Sequence, residues 1–289
     1  MLLMHWRRAR LVVAATAVLA VAPGCASDPG APPAPPGEAD AAHLALPIEP
    51  YLVGPDDAAV LDRATVTLVE RCLRRFGEDA DLPVPDPGPR LGPTERRYGL
   101  TDPAVAATHG YHLAGDATRS GPAPVAVDDT VLLGATTPGA TVAGLAVPEG
   151  GCVGEASRAV GGAPGSAEIV QRINADSVSG AMTDPRVVAA FAAWSACMAD
   201  AGYDYDDPWQ PPADGWLEDA TPSTEEIAVA TADVACKEST RLVAIWHHVD
   251  VELQEELVAA HEAELALVER DNRRRLEAAR EVLADGQAG

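Results

Sequence analysis

Apolar residues recur at three- and four-residue spacing over three stretches of the chain, which predicts amphipathic helices there. In the first, Leu61, Ala64, Leu68, Cys72 and Phe76 fall on one face, after Gly54-Pro55 and a cap at Asp56. Gly77 stands where a helix closes on a residue of positive φ, so Cys72 lies in the last turn and faces inward. In the second, Ser166 caps "AEIVQRINADSV", and Asp184-Pro185 open "RVVAAFAAWSACMADAG". Val187, Ala190, Phe191, Trp194, Cys197 and Met198 share a face, and Gly202 closes the helix. "ERCLRRFGED" and "SACMADAGYD" therefore read as the same helix ending used twice.

The third stretch opens at Ser223 with Glu226 at capping-box spacing, and no proline or glycine interrupts it before Gly286. It predicts one helix over 223–284, on the order of 90 Å long at 1.5 Å per residue. Leu242, Trp246, Val249, Leu253, Leu257, Ala260, Leu265, Val268, Leu276, Ala279 and Leu283 form its apolar stripe, thinned by Asn272 and Arg273 to Arg275. Residues 223–262 are expected to pack on the domain. The remainder is expected to project as an arm of coiled-coil character, the alternative being a hairpin broken near Arg270 to Arg275. Residues 80–165 are irregular by comparison. They hold a proline-rich loop, a short helix in "LTDPAVAATHGYH" capped by Asp102 with Pro103 at its first position and Gly110 after its end, and one or two short strands or extended segments before Cys152. The fold class is mostly α: a disulfide-stapled helical domain with Pro/Gly-rich loops and a long C-terminal helix.

The N-terminus departs from this pattern. Arg7, Arg8 and Arg10 precede an apolar run from Leu11 to Val21, and "APGC" follows, ending in Cys25. That run is too short to span a bilayer, which takes about 20 residues. The layout is that of a secretory signal peptide over 1–24. Gly24-Cys25 resembles a bacterial lipobox, with Ala22 and Pro23 departing from its usual leucine and small residue. Cys25 is thus the candidate lipidation site. The Pro/Gly/Ala stretch over 25–46 reads as a tether holding a domain over 47–262 off a membrane, with the arm at 263–289.

Composition narrows the partners. The net charge is −23, which disfavours a nucleic-acid backbone. The membrane is then held by the lipid and not by the protein surface. With Cys25 lipidated, Cys72, Cys152, Cys197 and Cys236 remain, an even number in an oxidising compartment. Three pairings are open. Cys197–Cys236 is favoured, because a 20-residue loop lets two antiparallel helices meet there, and Cys72–Cys152 follows by elimination. No C-x-x-C spacing supports a zinc or redox site, and no metal or cofactor is expected.

Other chemistry is thin. His247 and His248 are neighbours and point about 100° apart on a helix. His109-x-x-His112 has no carboxylate partner in sequence, and His261 stands alone. Asp204, Asp206 and Asp207 begin like a calcium loop that lacks its glycine and closing glutamate. Trp194, Trp209, Trp216 and Trp246 flank the second cysteine pair and fit core better than a sugar platform. No G-x-S-x-G, H-E-x-x-H or phosphate loop occurs.

"LPIEPYLVGPDDAAVLDRATVTLVERCLRRFG", "RRYGLTDPAVAATHGYH", "VPEGGCVGEA", "AWSACMADAGYDYDDP" and "PSTEEIAVATADVACKESTRLVAIW" together resemble secreted lipoproteins of actinobacteria that carry no assigned function. The resemblance spans about residues 47 to 262, with Leu73 where methionine is usual. It implies export and paired cysteines, and it carries over no catalytic residue. The expectation is a non-catalytic lipoprotein of the bacterial envelope that binds an envelope protein or cell-wall partner through its C-terminal helix. The rival is an envelope enzyme, such as a cell-wall hydrolase, whose acidic and histidine residues converge only in three dimensions. A ligand-binding accessory to a transporter is a third reading, but the chain lacks the alternating β-α pattern of the usual binding folds.

Overall fold

The structure, a computed structural model, describes residues 44–84, 96–113, 125–137, 139–162 and 167–287. The signal peptide over 1–24, the lipidation candidate Cys25, nearly all of the tether over 25–46, and the Ser166 cap lie outside the described residues.

The first predicted helix forms as α1 (Pro55–Arg75). Its cap is Gly54 and not Asp56. Pro55 takes the first helical position, and Asp56 and Asp57 occupy the first turn, where the helix dipole favours negative charge. Leu61, Ala64, Val69, Cys72 and Leu73 are its buried positions, and Leu68 is half-buried. Three short helices follow, α2 (Pro103–His109), α3 (Asp129–Leu133) and α4 (Gly151–Ala159). Between α3 and α4 lies a two-strand hairpin, β1 (Thr141–Val142) antiparallel to β2 (Leu145–Ala146).

Helices α5 (Glu168–Thr183) and α6 (Pro185–Asp200) are divided at Asp184. A residue before proline is pushed out of the helical region, and Asp184 has ψ 132° and caps α6 by accepting the Arg186 N–H.

The two cysteine words end their helices identically. Glu78 N–H donates to the Leu73 carbonyl and Gly77 N–H to that of Arg74. Tyr203 N–H donates to Met198 and Gly202 N–H to Ala199. Both are Schellman endings with a left-handed glycine, Gly77 at φ 85° and Gly202 at φ 92°.

The single helix expected over 223–284 is instead three: α7 (Thr224–Ser239), α8 (Leu242–Ala260) and α9 (Glu262–Gln287). The first break falls at Arg241, whose φ is +56°, and the second at His261. Neither site carries a proline or glycine, so no local breaker marked them. Tertiary packing sets both, because each break returns an apolar face to the core.

The projecting arm is corrected as well. Helix α9 lies along α1 and also meets α5 and α8. Its stripe is spent inside the molecule: Leu265 and Val268 join Ile48, Ile169 and Ile173, while Ala279 meets Leu61, Ala64 and Val160. Asn272, which thinned the stripe in sequence, donates its side-chain amide to the Tyr51 carbonyl at 3.1 Å.

Both favoured disulfides are formed. Cys72–Cys152 joins α1 to α4 inside a cluster with Val69, Leu73, Val131 and Ala156. Cys197–Cys236 joins α6 to α7 beside the largest cluster, which is centred on Trp194, Met198, Leu242 and Trp246. The protein is thus a disulfide-stapled, mostly helical domain, as its patterning indicates.

Candidate functional site

The most concentrated polar chemistry among the described residues lies buried between helices. Arg96 to Leu113, which includes α2, runs as a strap across α7 and meets α8 and α5 through Arg97 and Tyr98. Asp102 starts α2 by accepting the Ala104 and Val105 N–H groups, and Gly110 stops it. Glu226 and Asp233 are seven residues apart on α7 and so share a face. Lys237 continues that face one turn on. Asp250 and Gln254 occupy successive turns of α8. All five are buried.

At the start of the strap, Arg97 grips Asp250 with two nitrogens, Nη2 reaching Oδ1 at 2.8 Å and Nε reaching Oδ2. Its Nη1 donates to Asn174 Oδ1 at 2.6 Å and its Nη2 to Ser177 Oγ at 2.7 Å, both on α5. The Tyr98 hydroxyl donates to Asp250 at 3.0 Å. Gln254 completes the set, donating to Ser177 Oγ and accepting the Ile48 N–H. Burial, then the neighbouring Asp250 charge, pushes the Tyr98 phenol well above its usual range.

In the middle, Lys237 donates to Asp233 at 2.9 Å and to the Leu100 carbonyl at 3.1 Å. Asp233 also accepts Trp194 Nε1 at 3.0 Å and the Tyr111 hydroxyl at 3.3 Å. Burial pushes the Asp233 carboxyl up and the Lys237 ammonium down, and the pairing opposes both shifts. Burial and Asp233 together raise the Tyr111 phenol.

At the far end, Glu226 Oε1 accepts the Tyr111 N–H at 2.8 Å and faces His112 Nδ1 at 2.9 Å. His112 Nε2 faces the Asp219 carbonyl at 2.9 Å. Gly110 is required here, because a Cβ on it would stand 2.4 Å from Glu226 Oε1 and its φ is +56° with ψ −130°.

The candidates suggested by the sequence disperse. His112 finds the carboxylate that its neighbours in sequence lacked. His247 faces the Ala45 carbonyl, His248 pairs with Glu252 and His261 with Glu264. Asp204 and Asp206 are exposed, and Asp207 stitches its own loop by accepting from Trp209 and Gln210. Among the described residues no three His, Cys, Asp or Glu side chains converge as metal ligands. Trp194 and Trp246 are fully buried core, Trp246 sits edge-on to Tyr98, Phe191 and Trp209, and Trp209 and Trp216 pack half-buried against the same cluster.

Patterning along the chain missed Arg97, Glu226, Asp233, Lys237, Asp250 and Gln254. One signal was present. Residues 226, 229, 230, 233 and 237 keep core spacing on α7, and three of them are charged. Charged residues on a buried face are paired, because an unpaired buried charge is costly.

What the network does chemically is bind helices. Asp233 and Asp250 are wholly buried and their oxygens accept from protein donors. No family model, characterised protein or solved structure matches the chain.

Proposed function

We propose that this protein is an exported, lipid-anchored, non-catalytic binding module of a bacterial envelope. The observation that carries export is the pair of disulfides, each buried in or beside a core cluster, since such bonds persist in oxidising compartments. The lipobox-like "APGC" ending in Cys25 supports the anchor. The resemblance to secreted actinobacterial lipoproteins agrees with both. The non-catalytic reading is supported by how the polar groups are used: the buried carboxylates are consumed by internal donors. The partner is an envelope protein or cell-wall component, and its surface on α9 is the face turned away from α1, where Leu267 is exposed among charged side chains.

Two experiments test this. Radiolabelled palmitate is expected to label the protein in its native host, and Cys25→Ser is expected to abolish the label. Label retained by Cys25→Ser sinks the anchor. Crosslinking on intact cells, followed by mass spectrometry, is expected to recover a defined envelope partner through α9. Turnover of cell-wall material by the purified protein would replace the binding module with an enzyme.

A further inference from the structure

The His112 ring meets an acceptor at each nitrogen. A backbone carbonyl accepts and never donates, so the 2.9 Å contact to Asp219 requires a proton on Nε2. The 2.9 Å contact between Nδ1 and Glu226 Oε1 requires a second proton between them. The site therefore holds two protons, while a neutral imidazole facing a carboxylate supplies one. Loss of the bridging proton sets lone pair against lone pair at one contact or the other, whichever nitrogen keeps the remaining hydrogen.

We propose that His112 is a proton-operated latch. Protonated, it ties the end of the strap to α7 and to the loop bearing Asp219. Deprotonated, it releases both. The strap is pinned asymmetrically, which makes the release local. At its start the strap is held by the bidentate Arg97–Asp250 pair and its bonds to α5, whereas its far end hangs on an imidazole, a group that titrates around neutrality.

The groups facing the latch set its sign. Glu226 faces it from α7 and favours the protonated ring. From the strap itself, the Arg96 guanidinium donates to the Tyr111 and His112 carbonyls at 3.2 and 3.4 Å and opposes it. The Tyr111 phenol is neutral and engaged with Asp233 one further stretch along α7. The carboxylate bonds the ring itself, whereas these guanidinium bonds go to the backbone, so the carboxylate prevails. The latch is then closed at acid and neutral pH and opens as pH rises.

Hydrogen exchange and ring NMR on the purified full-length protein test this. Ring ¹⁵N spectra are expected to show both His112 nitrogens protonated at pH 7, above the ordinary imidazole midpoint of about 6.5. After correction for intrinsic exchange, protection of 109–113 and 216–221 is expected to fall about tenfold or more as the ring deprotonates. His112→Gln is expected to leave both segments open at every pH. Glu226→Gln keeps an acceptor oxygen but removes its charge, so the opening midpoint is expected to move to lower pH. A singly protonated ring at pH 7 overturns the latch, as does an unmoved midpoint in Glu226→Gln. An alkaline opening that persists in His112→Gln assigns the transition to Lys237 instead and overturns it equally. If His112→Gln fails to fold, the wild-type spectra and the Glu226→Gln midpoint still decide.

Discussion

Lys237 is the single lysine among 289 residues, and it is buried against a buried aspartate. A lone charge there would be costly, so the two residues are best understood as a unit with Trp194, Tyr111 and the Leu100 carbonyl. Lys237→Met removes one partner and leaves Asp233 uncompensated. It is expected to cost about 3–5 kcal/mol in urea unfolding with the disulfides intact. Asp233→Asn combined with Lys237→Met removes both charges while an amide oxygen still accepts from Trp194. The double variant is expected to be more stable than Lys237→Met alone. Equal losses in the two would mean that packing, and not charge compensation, holds the site.

At the scale of elements, the two disulfides look alike in sequence and differ in access. Cys72 and Cys152 are both buried, whereas Cys197 is half-buried, with Ser239 Oγ 3.7 Å from its sulfur. Under a native dithiol pulse followed by alkylation and peptide mapping, Cys197–Cys236 is expected to open first. Simultaneous labelling of all four cysteines would show global unfolding instead. Loop entropy assigns ~4.5 kcal/mol to the bridge spanning 80 residues and ~4 kcal/mol to the one spanning 39.

A second element-scale tie joins the α5–α6 junction to α8. Arg186 donates to Asp184 at 3.0 Å and to Glu252 at 2.7 Å. Its hydrogen bonds hold both carboxyls below their usual range. Carboxyls so lowered contribute stability above the unfolded-state values, near 4, which is lost as pH falls through the folded-state values. The partners are partly exposed, so the contribution is at most about 1 kcal/mol after screening. Arg186→Met is expected to flatten the acid limb of stability against pH in thermal melts from pH 6 to pH 2. An unchanged limb would leave this tie without energetic weight.

At the scale of the whole molecule, helices remote in sequence are held by different means at different places. α1 and α4 are stapled by a disulfide, α1 and α9 by apolar packing around Ala64 and Ala279, and α5, α7 and α8 by the charged strap. Unlike packing, the strap depends on protonation at its far end. Outside the Trp194–Trp246 cluster, alanine and valine fill many of the buried apolar positions, which gives modest burial per side chain there. Disulfides and buried ion pairs then fix which helix faces meet.

Local grammar determined much of this protein in advance. The helix over α1, the Asp184-Pro185 start of α6 and the two glycine endings follow from signals within a few residues, whereas one loop length only favoured the cysteine pairing that formed, with three left open. Tertiary structure alone decided where 223–284 breaks, because Arg241 and His261 are ordinary helix formers whose conformations answer to the surrounding core. It alone turned the C-terminal stripe inward onto α1. It alone gave His112 its carboxylate, 114 residues away in sequence, since a pair so distant leaves no periodic trace for either residue to show by itself.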